Sequence, residues 1–126
     1  MKPARRLPAA LALLLAACAR PEPPAPQPLA LDCTLPYEAL AAKVLAQPGL
    51  VQAPQEPGEP YRFYRFEGGR AAYVLTDPGA PGHPAILRQE ATRQDGRKVM
   101  RNTGCPYGDR KGYDQVMAYL EGLSRR

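Results

Sequence analysis

Tryptophan is absent from the 126 residues, phenylalanine occurs twice, histidine once and cysteine three times. Each scarcity narrows the chemistry. A hydrolytic triad needs a base held against a nucleophile. The lone histidine, His83, sits in a Pro/Gly loop with no serine or cysteine motif beside it, and reads as an exposed loop residue. No CxxC pair supports dithiol redox work, and the ligands for a zinc site are too few. No cofactor motif is present, so neither a cofactor nor a metal is expected. A concentrated basic stripe, the usual footprint of a nucleic-acid binder, is also missing. The formal charge is +5, but three of the 17 basic residues (Lys2, Arg5 and Arg6) fall in the first six positions, and without them 14 basic face 12 acidic residues. No apolar run is long enough to span a bilayer. The longest, Leu7 to Ala17, would make a helix of ~16 Å against a hydrocarbon core of ~30 Å.

What is present begins with that leader. A basic start, an apolar stretch of this length and a small-residue junction have the layout of a secretory signal. The junction Leu15-Ala16-Ala17-Cys18 closely resembles the lipobox of bacterial lipoproteins: an aliphatic residue, two small residues and a cysteine. The resemblance covers residues 1–18 only. It implies a thioether-linked diacylglycerol on Cys18, cleavage before it, and attachment to the membrane through acyl chains. Ala19 is not the aspartate that favours inner-membrane retention in enteric lipoproteins, so the resemblance implies the outer membrane, facing the periplasm, for a Gram-negative host. Ala17-Cys18-Ala19 also fits a small-x-small site, which leaves open plain secretion with cleavage after Ala19. The expected division is a signal peptide over 1–17, a lipid-anchored Pro-rich tether over 18–30 and a small domain over 31–126.

The chain has 16 prolines, and five of the twelve residues from Ala19 to Ala30 are proline. Proline fixes φ and removes a donor, which favours an extended polyproline stalk. A Pro-rich ligand for a partner groove is the other reading. Three cysteines leave one over in an exported chain. Lipidation of Cys18 restores parity, and Cys33 and Cys105 are then expected to form a disulfide in an oxidising compartment.

Residues 34–46 carry an i, i+3, i+4 apolar stripe (Tyr37, Leu40, Ala41, Val44, Leu45), with Thr34 as cap and Pro48-Gly49 as stop. The stretch 47–60, with four prolines, reads as an irregular loop. Two strands over 61–67 and 70–76 flank Gly68-Gly69, and two more over 85–94 and 97–104 flank Asp95-Gly96; both dipeptides are hairpin turns. The registers place Tyr64 opposite Tyr73, and Glu90 opposite Arg101. The first strand has aromatic residues on both faces. The second hairpin is polar on much of both faces, which suits an edge. A final helix runs from Asp109 to Leu123, with Tyr113, Val116, Met117, Leu120 and Leu123 as its stripe. The fold class expected is α+β, a small antiparallel sheet of about four strands (two hairpins) flanked by an N-terminal and a C-terminal helix. The core is expected at Leu40, Val44, Tyr64, Phe66, Tyr73, Leu75, Val116, Met117 and Leu120.

Three function classes compete. The first is a non-catalytic accessory protein that contacts an envelope protein through a surface drawn from Tyr61, Arg62, Tyr64, Arg65, Arg93, Lys98 and Arg101. The second is a binding module for a small molecule or cell-wall fragment in a groove lined by tyrosines. The third, an enzyme, lacks any motif and is set aside. An exposed patch beside an unpaired strand points to the first; a deep Tyr-lined pocket points to the second.

Overall fold

A computed structural model describes Pro3 and residues 27–125. The leader, Cys18 and most of the tether lie outside the described residues. The elements run α1 (Tyr37–Leu45), β1 (Leu50–Gln52), β2 (Tyr61–Phe66), β3 (Ala71–Thr76), β4 (Ala85–Gln94), β5 (Arg97–Pro106) and α2 (Arg110–Ser124). The class is α+β: all strands join one antiparallel meander in the order β1-β2-β3-β4-β5. Both expected hairpin registers are present, Tyr64 with Tyr73 and Glu90 with Arg101. Asp95 and Gly96 both take positive φ, 50° and 75°, as a type I′ turn requires.

Three expectations need correction. The sheet has five strands, because the segment read as an irregular loop contains β1. There Leu50 packs on the core and pairs with Phe66. The helices do not bracket the sheet at its ends; one lies on each face. Alternate residues of the central strands serve different helices. Tyr64, Tyr73, Leu75, Ile86 and Cys105 pack with Leu40 and Val44 of α1. Val74, Ala85 and Leu87 pack with Tyr113, Val116 and Leu120 of α2. This explains the aromatic residues on both faces of β2: Tyr64 and Phe66 meet the α1 core, while Tyr61 and Phe63 meet the α2 core. It also explains β3, whose residues Tyr73–Thr76 are all buried. Of the expected core, Phe66 and Met117 are only half-buried at its margin.

The third correction concerns α1, which starts at Tyr37 with Pro36 before it. Thr34 does not cap it. Its amide and hydroxyl both donate to the Asp32 carboxylate, at 3.0 and 2.5 Å, and these bonds hold the Asp32 pKa below its usual value. At the other end of the chain, Asp109 caps α2 by accepting the Gly112 amide at 2.8 Å. The loop between β3 and β4 lies against this first turn. Gly82, at φ 70°, meets Gly112 backbone to backbone, and a Cβ on either glycine would overlap the other segment.

Cys33 and Cys105 form the expected disulfide, with Cα atoms 5.3 Å apart and a sequence separation of 72. It ties the entry to α1 onto the buried end of β5. Closing a loop of this length removes roughly 4 kcal/mol of unfolded-state entropy.

Candidate functional site

The described fold starts earlier than residue 31. Leu29 packs against the α1 core. Its amide donates to Gln47 Oε1 at 2.9 Å, and its carbonyl accepts the Tyr73 hydroxyl at 2.6 Å. Gln47 is itself held by Nε2 donating to the Val44 carbonyl at 3.0 Å. Arg88 Nη2 reaches the Pro28 carbonyl at 3.5 Å while its Nη1 pairs with Glu90 at 3.1 Å. The residues assigned to the end of the tether are therefore clasped to the domain. Leu29 is the one large apolar side chain in that proline-rich stretch, and burying it brings its backbone within reach of Tyr73 and Gln47.

The seven residues named as a possible interaction surface do not share one face of the sheet. Strand alternation puts Tyr61, Arg65, Arg93 and Lys98 on the α2 face, and Arg62, Tyr64 and Arg101 on the α1 face. Tyr61 stacks on Tyr119 of α2, with centroids 5.3 Å apart. Burial raises its pKa, and Tyr119 and Glu59 add to that. Arg62 is committed to Asp77 at 2.8 Å and to the Tyr64 hydroxyl at 3.1 Å. Tyr64 and Tyr73 are in the core. The tyrosines are thus divided between two packed layers, and no single groove gathers Tyr61, Tyr64 and Tyr73. His83 also departs from its reading as an exposed loop residue. It is half-buried, its Nδ1 lies 2.7 Å from the buried Thr76 hydroxyl, and its ring sits edge-on to Tyr37. That hydroxyl accepts the Ala85 amide at 2.9 Å, so His83 serves to fasten the β3–β4 turn.

What remains open lies where α2 stops covering its face of the sheet. The helix covers Gly104 and Leu87 through Tyr113 and reaches β2 at Tyr61. The half of that face toward the β2–β3 turn is uncovered. It forms a shallow groove of about 490 Å³, bordered by Phe63, Arg65, Ala72, Gln89, Lys98 and Met100. Arg65 and Lys98 make no ion pair among the described residues, and Met100 is 37% exposed. Arg65 and Lys98 are among the basic residues expected at a surface from the sequence; Arg70, which also lines the groove, is not. Nor are Met100 and Gln89, because their shared face follows from register and from where α2 ends. Among the described residues no group of three or more metal-ligating side chains comes together.

The chain matches no protein-family model, and no curated protein or solved structure matches it.

Proposed function

We propose that this is a lipid-anchored envelope protein with a non-catalytic accessory role, held at the outer membrane through Cys18 and engaging a protein partner at the open groove beside α2. The address rests on the Leu15-Ala16-Ala17-Cys18 junction. The Cys33–Cys105 disulfide suits an oxidising compartment, where such bonds persist. The observation that carries the partner role is the uncovered half of the α2 face, where Arg65 and Lys98, which form no ion pair among the described residues, rim an exposed methionine. An apolar centre with a charged border is the anatomy of a protein contact, and Arg65 with Lys98 favours a partner bearing acidic groups.

The test is a photo-crosslinking residue at position 100, introduced into the full chain and into its Cys18→Ser variant in cells. The parent chain is expected in the membrane fraction with a discrete adduct that disappears on adding Arg65→Glu. The Cys18→Ser chain is expected to leave that fraction or to stall unprocessed. A Cys18→Ser chain that fractionates like the parent defeats the anchor; absence of an adduct at position 100 defeats the partner surface.

A further inference from the structure

The β4–β5 hairpin is longer than the sheet it belongs to. Pairing of β3 with β4 ends at Ala71 and Glu90, with one further bond from the Ala91 amide to the Arg70 carbonyl at 2.8 Å. Beyond that point residues 92–99 continue as a two-stranded ribbon, paired only with each other through Thr92–Val99, Arg93–Lys98 and Gln94–Arg97. Three extended residues on each side carry the tip roughly 10 Å past the end of β3. The ribbon and its base bear Arg93, Arg97, Lys98 and Arg101, all exposed, and none of them makes an ion pair among the described residues. Asp95, in the turn, is the only acidic residue between 91 and 101. Val99 and Met100 are each 37% exposed and fall on opposite faces of the ribbon.

The position of this ribbon matters as much as its charge. In a meander the β2–β3 and β4–β5 turns lie at the same end of the sheet, and the β3–β4 turn with the start of α2 lies at the other. The N-terminal segment enters at the first of these ends. Gln27, Pro28 and Leu29 line a cleft of about 630 Å³ together with Phe66, Gly68, Gly69, Arg70 and Glu90. Pro28 lies ten positions after Cys18, and even fully extended those ten steps would reach at most about 35 Å. An acyl-anchored chain is therefore drawn toward the bilayer by the end of the fold that carries the basic ribbon.

We infer that the β4–β5 ribbon is a membrane-contact arm that rests on anionic phospholipid headgroups of the bilayer to which the chain is anchored. The inference deepens the lipoprotein reading and rests on it. Clustered Arg and Lys are attracted to an anionic surface and lose that attraction within a Debye length. The tether supplies nearness, so the arm needs only weak affinity to set the domain's orientation. Charges also guard exposed strands against edge-to-edge pairing, but that role is indifferent to where the chain leaves the domain and to the lipid beneath it.

The arm is tested without the anchor, using the chain from residue 18 onward with Cys18→Ser, so that no acyl chain contributes. Co-sedimentation is measured with vesicles of phosphatidylcholine alone and of phosphatidylcholine and phosphatidylglycerol in equal amounts. The expected result is more than tenfold stronger association with the anionic vesicles, abolished by high salt and by the triple change Arg93→Glu, Arg97→Glu, Lys98→Glu. The control Lys111→Glu, at the opposite end of the fold, should bind as the parent does. Equal association with both vesicles, or a triple variant that binds like the parent, overturns the arm. So does a Lys111→Glu chain as weak as the triple variant, since one charge reversed at the far end would then count for as much as three on the arm. The anchor is read separately, by the fractionation of the full-length Cys18→Ser chain, so one reading can fail while the other stands.

Discussion

At the scale of single residues, the tightest constraint is the meeting of Gly82 and Gly112. Neither position has room for a Cβ, because each would strike the backbone of the other segment rather than a flexible side chain. Gly112→Ala is expected to cost at least about 2 kcal/mol, in the range of overpacked cores, and to lower the urea midpoint accordingly. Gly122→Ala is the comparison, because nothing lies within 4 Å of its Cβ position and the same exchange on the same helix should be neutral or stabilising. Equal midpoints for the two variants would show that the loop can withdraw from α2. This junction could not be read from the sequence. Asp77-Pro78-Gly79-Ala80-Pro81-Gly82-His83-Pro84 announces a turn by composition, but not which helix it will touch. His83 was obscure for the same reason, since Thr76, its partner, lies across that turn.

At the scale of elements, the sequence was most legible where a short pattern had a local cause. Gly68-Gly69 and Asp95-Gly96 set both hairpin registers, and Asp109 opened α2. It was least legible where a long-range partner decided the outcome. β1 has three residues, too few for any periodicity to show. Leu29 looked like part of a stalk because Tyr73 and Gln47, which hold it, are distant in sequence. The two-sided burial of the sheet is visible in outline as the apolar run Ala71–Leu75 and the doubly aromatic β2, but neither pattern tells which helix covers which face. The disulfide is the strongest restraint between elements. Replacing Cys33 and Cys105 together by serine is expected to remove about 4 kcal/mol, seen as a loss of cooperative thermal unfolding or a large fall in Tm, with a similar shift when the parent is reduced. A Tm unchanged by reduction would mean that α1 and the sheet hold together without it.

For the molecule as a whole, packing a helix on each face leaves tyrosines in partly desolvated places. Burial raises the pKa of Tyr61, Tyr107 and Tyr113 above 10.0; the Asp32 carboxylate adds to the effect at Tyr107, and at Tyr113 Asp114 adds while Arg110 opposes. The neutral phenol is thus favoured in the folded state. The corresponding stability is fully present below the ordinary tyrosine pKa and is lost as pH rises from there through the raised values. Urea midpoints should change little on this account between neutrality and pH 9, then fall above about pH 10, in step with tyrosinate absorbance. A midpoint that stays level while the tyrosines ionise would show that their environments do not differ between folded and unfolded chains.

The clasp at Leu29 and the bond between Cys33 and Cys105 also determine how the molecule takes a mechanical load. Tension applied to the N-terminal segment first works against the Tyr73 and Gln47 contacts, and once these yield it meets a covalent link to β5. Residues 34–104, including α1 and the first four strands, form the loop closed by that link and lie off the covalent path of the pull. A domain tugged from this end would swing or shift on its leash long before it began to unravel.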